Sequence, residues 1–170
     1  MNCPNGQLFT SHYLHKILNI NMEKDIAIPI ELKVWQKTSE YAIIESYDDS
    51  MVVRFQYWDE QQKTVNDKTA VLLFRNVYAV RYCRYNKTRY YPKEQEHSYR
   101  SCYLEIPNSS WIDSLKKERE SYDKNWEKYD YRKYRHYVFQ NNSFWIEVIA
   151  TNVDFQIENR LDCHDKIWND

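Results

Sequence analysis

Between Phe144 and Ala150 the chain alternates with a period of two, Phe144, Ile146 and Val148 against Trp145, Glu147 and Ile149. Successive side chains of a strand point to opposite faces, so this run predicts a β-strand. Asn141-Asn142-Ser143 and Thr151-Asn152 interrupt the apolar runs on either side, and Asn tolerates the left-handed conformations of tight turns better than other residues with a Cβ. The reading for Tyr134–Glu158 is a three-stranded antiparallel meander.

The rest of the chain supplies more strands and two helices. Leu8–Ile20 places Leu8, Phe9, Tyr13, Leu14, Ile17 and Leu18 near one face and predicts a short N-terminal helix. Ile26, Ile28, Ile30, Leu32 and Val34 alternate with Ala27, Pro29, Glu31, Lys33 and Trp35, which predicts a strand with one apolar face. Pro29 has no amide to donate, so that strand lies at an edge or begins pairing after it. Tyr41–Tyr47 and Met51–Trp58 around Asp48-Asp49-Ser50 read as a hairpin. Thr69–Phe74 and Val77–Tyr85 read as strands joined or bulged at Arg75-Asn76, Asn86–Tyr99 as a long loop, and Arg100–Ile106 as a further strand.

At Pro107-Asn108-Ser109-Ser110 the period changes. Ser110 with Asp113 resembles a capping box, and Trp111, Leu115, Tyr122, Trp126 and Tyr129 recur at helical intervals. A helix is predicted from about Trp111 to Tyr122. With 170 residues, no internal repeat and no composition break, the chain reads as one α+β domain. Its architecture is predicted as a mostly antiparallel curved sheet or half-barrel of about eight strands, with an N-terminal helix and one helix near 110–125.

Composition narrows the chemistry. Gly6 is the one glycine, so the glycine-rich phosphate loops, dinucleotide fingerprints and nucleophile elbows that need backbone to crowd a ligand are excluded. Cys3, Cys83, Cys102 and Cys163 lack metal-knuckle spacing and read as reduced thiols, a Cys83–Cys102 bridge staying open if their strands are neighbours. No metal and no cofactor is expected. His12 and His15 read as surface or packing residues. His97 and His136 with nearby Arg100 and Arg135 have the residue types of a metal-independent nuclease, although a hydrogen-bonded structural role suits His136 better. An enzyme is the class with least support. No run approaches a membrane span and no signal segment is evident, so a cytoplasmic protein is expected.

Charge is distributed unevenly around a net −1. From Arg75 to Arg100 seven basic residues oppose Glu94 and Glu96, with tyrosines interleaved. Arg81, Arg84, Arg89 and Arg100 with Tyr85 and Tyr90 are candidates for binding single-stranded nucleic acid or a nucleotide, cations on phosphate and rings under bases. Between Glu40 and Glu60 six carboxylates oppose Arg54. Acidic clusters of this kind steer basic partners.

Pro107-x-Ser109-Ser110-Trp111-Ile112, His136-Tyr137-Val138 and Phe144-x-x-Glu147-Val148-Ile149-Ala150, preceded by Phe74-Arg75-Asn76-Val77 and Arg81, resemble small bacterial immunity-type proteins found beside toxins. The resemblance covers about half of the chain. It implies a non-enzymatic binder that covers a toxin's active site. Its partner is expected to be a protein of the basic-toxin kind, with Glu45, Asp48, Asp49, Trp58 and Asp59 as contacts. A phage anti-defence protein that binds a host protein or a signalling nucleotide is the alternative, and a nucleic-acid module the second.

Overall fold

The computed structural model describes residues 24–84, 103–142 and 144–161. The predicted N-terminal helix and the loop Asn86–Tyr99 lie outside these residues. The described chain forms β1 (Ile28–Pro29), β2 (Trp35–Gln36), β3 (Ile43–Tyr47), β4 (Ser50–Phe55), β5 (Tyr57–Trp58), β6 (Lys68–Arg75), β7 (Ala79–Arg84) and β8 (Tyr103–Glu105). After these come α1 (Ser110–Tyr122), a 3-10 turn (Trp126–Lys128), β9 (Arg135–Gln140), β10 (Phe144–Ala150) and β11 (Asn152–Asn159). This is an α+β protein made mostly of antiparallel sheet. In place of one half-barrel of eight strands it has a five-stranded sheet β1-β8-β9-β10-β7, a four-stranded sheet β11-β6-β4-β3 and the small pair β2-β5.

The inner faces of the two large sheets meet in one core. Met51, Val53, Phe55, Leu72 and Phe74 come from the four-stranded sheet, and Tyr103, Tyr137, Phe139, Phe144, Ile146 and Val148 from the five-stranded sheet. Each large apolar side chain buried there contributes about 1.5–3 kcal/mol. The opposite face of the five-stranded sheet is also covered. Ala27, Leu104, Ile106 and Val138 form a second cluster there. Every residue of β10 is therefore buried.

The predicted meander is only half present. β9 and β10 pair antiparallel, but β11 leaves β10 and pairs with β6 in the other sheet. A second crossover explains why. β6 continues into β7, which pairs with β10, so two long strands run side by side and bend together from one sheet into the other. Between the pairs Asn152↔Arg75 and Ile149↔Ala79, the β6–β7 side has three residues and the β10–β11 side two. That extra residue is a bulge, the device that lets a strand turn a sheet corner. Asn76 takes φ 48° there, and its side-chain amide donates to Thr151 Oγ1 at 2.9 Å. Thr151 N–H and Oγ1–H in turn donate to the Arg75 carbonyl, each at 3.1 Å.

Two further expectations need correction. The alternating run Ile26–Val34 yields only the two-residue β1, and its phase slips. Ala27 is buried and Ile28 exposed, whereas Leu32 and Val34 are buried as the pattern requires. Pro29 cannot donate to a ladder, β1 lies at the sheet edge, and the chain leaves β8 after Ile30 N–H has bonded to the Tyr103 carbonyl. The helix cap is Ser109, one residue earlier than predicted. Its hydroxyl accepts from Ile112 N–H at 3.2 Å, while Ser110 Oγ–H donates to Asp25 and Asp113 pairs with Lys24.

The corner makes a separable prediction. Asn76→Ala loses the Thr151 bond and places a Cβ without a stabilising amide at positive φ, costing about 2–3 kcal/mol; Asn76→Gly loses only the bond, about 1 kcal/mol. Urea unfolding of both variants measures the difference, and equal losses would show that the backbone is unstrained without Asn.

Candidate functional site

Four groups of residues carry the polar chemistry of the described surface and interior. The first is the predicted acidic site. Asp48 and Asp49 form the exposed tip of the β3–β4 hairpin, Asp48 at φ 48°. Asp49 holds the tip to the sheet corner, its carbonyl accepting from Val77 N–H at 2.6 Å. Glu45 lies on β3 and is paired with Arg54 across the hairpin; Arg54 also approaches Glu158 at 3.5 Å. Glu40 is similarly paired with Lys37 at 3.0 Å. Trp58 and Asp59 sit beyond the other end of β4, whose six residues span roughly 20 Å. Asp59 there organises its own turn, accepting from Gln61 and Lys63 N–H at 2.8 and 2.9 Å. The fold thus brings Glu45, Asp48 and Asp49 onto one hairpin and leaves Trp58 and Asp59 apart. Tyr41, Ile44 and Tyr47, which charge counting passed over, are exposed on the same margin, the two tyrosines at 56% each.

The second group belongs to the basic segment. Arg84 is exposed at the end of β7, and Arg81 is exposed as well but rests against neighbouring side chains. Its guanidinium lies 3.9 Å from the centroid of the Trp111 ring, with Nη1 3.9 Å from Glu147 Oε2. Tyr85, Arg89, Tyr90 and Arg100 lie outside the described residues. Cys83 is a free thiol, and Cys102 also falls outside them.

Arg81 leads to the third group, a buried polar chain beneath the start of α1. Ser109 Oγ stands 2.8 Å from His136 Nδ1, His136 Nε2 stands 3.1 Å from Glu147 Oε2, and Trp145 Nε1–H donates to Glu147 Oε1 at 3.1 Å. Ser109 Oγ accepts the Ile112 N–H at the helix start, and the His136 ring bridges that hydroxyl to the Glu147 carboxyl. His136 and Glu147 are 1% and 0% exposed. The order serine–histidine–carboxylate is that of a catalytic triad, but a nucleophile needs a free, accessible oxygen. Ser109 is buried and its oxygen is occupied by the helix end, so the arrangement fastens α1 to the sheet. His136 is the hydrogen-bonded structural histidine that the sequence favoured.

A second polar clamp holds the other end of α1. Asp130 accepts from Arg119 at 2.7 Å, from Arg132 at 2.7 and 3.1 Å and from Tyr134 at 2.9 Å. Arg119 also stacks over the Trp126 and Tyr78 rings at 4.5 and 4.8 Å. These donors hold the Asp130 carboxyl well below the ordinary carboxylate range, the Arg132 hydrogen bonds first. No three His, Cys, Asp or Glu side chains among the described residues converge as metal ligands, and no described helix is long and apolar enough to cross a membrane.

Compared with protein-family models, curated proteins and solved structures, the chain matches none.

Two stability measurements separate these roles. Ser109→Ala removes both a cap and the partner of a buried imidazole nitrogen, so unfolding free energy falls by about 2–3 kcal/mol; a loss under 0.5 kcal/mol, the usual size for a neutral surface change, would refute the latch. Asp130 is ionised at a lower pH when folded than when unfolded. Its stabilisation is therefore complete above the ordinary Asp value of about 3.9 and is lost as pH falls below it. In urea titrations from neutral to acid pH, Asp130→Asn is less stable at neutral pH and converges on wild type in acid. A constant gap between the two curves would count against this.

Proposed function

We propose that the protein is a non-enzymatic protein-binding module, an immunity-type inhibitor that neutralises a basic toxin by covering its active site. The observation that carries the reading is the margin formed by β3 and its hairpin tip. Tyr41, Ile44 and Tyr47 are exposed there beside Asp48 and Asp49, and no Lys or Arg occurs between Glu40 and Ser50. Aromatic rings give contact area at low conformational cost and dominate binding hot spots, while carboxylates at a rim steer a cationic partner without needing burial. Glu45 and Glu40 are already neutralised by Arg54 and Lys37, which leaves the two tip aspartates as the steering charges. The hairpin is well suited to present them, because Asp49 is anchored to Val77 N–H at the sheet corner.

The two parts of this surface have different kinetic signatures. Against a purified toxin encoded beside this protein, Asp48→Asn with Asp49→Asn slows association several-fold and flattens its dependence on salt. Tyr41→Ala with Tyr47→Ala instead speeds dissociation about 10- to 100-fold. Surface plasmon resonance at low and moderate salt reads both. Undiminished neutralisation and affinity in the tyrosine double variant would exclude this face.

A further inference from the structure

Inward-facing residues of packed sheets are normally apolar, and at one end of the inter-sheet core they are not. Glu105 is in register with Tyr137, and Arg135 with Ala150, so both charged residues stand on the core side of the five-stranded sheet. They border a cavity of about 500 Å³ between the sheets, within the range of small-molecule sites. Leu72, Val153 and Phe155 line it from the four-stranded sheet, and Tyr103 and Tyr137 from the other. The two tyrosine rings are stacked, 6.1 Å apart and 20° from parallel. At the rim, Glu31 and Lys33 join Glu105 and Arg135, with Arg135 Nε–H donating to Glu105 Oε1 at 2.8 Å.

The Tyr103 hydroxyl, like that of Tyr137 beside it, is buried and has no hydrogen-bond partner among the described residues. Burial also pushes its ionisation far above the ordinary phenol range, so it remains a neutral donor. A buried donor without an acceptor is a cost that folded proteins seldom leave standing. The charges around it are two carboxylates and two cations. A polyanion would meet Glu31 and Glu105, and a polycation would meet Lys33 and Arg135. Arg135 and Glu105 already neutralise each other, so a molecule that carries one charge of each sign beside an apolar body can lie across that pair without leaving either partner uncompensated, and it brings an acceptor for Tyr103.

We propose that this cavity binds a small zwitterion of the amino-acid class with an apolar side chain. The site is independent of the hairpin margin, and the two can fail separately.

The test is calorimetric and NMR titration of the whole protein with L-phenylalanine and L-leucine, with 3-phenylpropionate and phenethylamine as single-charge controls. At least one of the amino acids saturates with a Kd on the order of 1 mM or tighter, and the controls bind L-phenylalanine's site at least tenfold more weakly than it does. Tyr103→Phe weakens amino-acid binding about tenfold without lowering the urea midpoint, and Val153→Phe, which fills the cavity, abolishes it. Absence of saturable binding by both amino acids, equal binding of the single-charge controls, or unchanged affinity in Tyr103→Phe would each overturn the proposal. The last variant retains the ring, so its result stands even if Val153→Phe fails to fold.

Discussion

The fold depends on one paired bend. β6–β7 and β10–β11 are each continuous polypeptide, yet each contributes to both large sheets. A strand can serve two sheets only by turning sharply between them, and the unequal count at the corner, with Asn76 at positive φ, produces that turn. Thr151 ties both chains together there, accepting from Asn76 and donating to the Arg75 carbonyl. The hairpin tip is anchored at the same place through Val77, so the corner also sets where the exposed margin of β3 sits. Packing of the inner faces follows from this geometry, because the same bend carries Phe74 into one sheet and Val148 into the other.

Buried polar groups then do what a nearly uniform apolar interface cannot, which is to select one docking position for the helix. α1 buries Trp111 and little else, so apolar area alone specifies its placement weakly. The Glu147 carboxyl is costly to bury unless it is hydrogen-bonded, and it has His136 and Trp145 in reach with Arg81 alongside, His136 being held in turn by Ser109. Asp130 performs the corresponding task at the far end, gathering Arg119, Arg132 and Tyr134. These two polar sites are structural in geometry because their atoms are consumed by the fold. The surfaces proposed for binding are different in kind: the β3 margin has exposed rings and carboxylates, and the cavity between the sheets has a buried donor with no partner among the described residues.

Much of this organisation was legible in residue order. Period-two alternation over Phe144–Ala150 announced β10, Asp48-Asp49-Ser50 announced a tight turn, Arg75-Asn76 marked a break that could be a join or a bulge, and the change of period after Pro107 announced α1. Each depends on neighbours in sequence: side-chain alternation, the tolerance of Asx side chains for left-handed backbone, and the capping of helix amides by a hydroxyl. The candidate site was legible in part. Counting charge found the hairpin carboxylates but could not see that Arg54 neutralises Glu45, since an ion pair across strands requires register.

The sequence by itself determined most local elements and the exclusion of glycine-dependent phosphate chemistry, whereas positive φ among the described residues falls at Asp25, Asp48, Gln62 and Asn76 and not at the Asn141-Asn142 or Thr151-Asn152 turns. Only the tertiary structure decided that β11 joins β6 and abandons β10, that Arg81 lies over Trp111 and beside Glu147, and that Tyr103 ends beside a polar-rimmed cavity. The physical reason is the same in each case. Alternation states that a side chain lies on one of two faces, but which face is core, and what lies across from it, is settled by hydrogen-bond pairing between segments far apart in the chain.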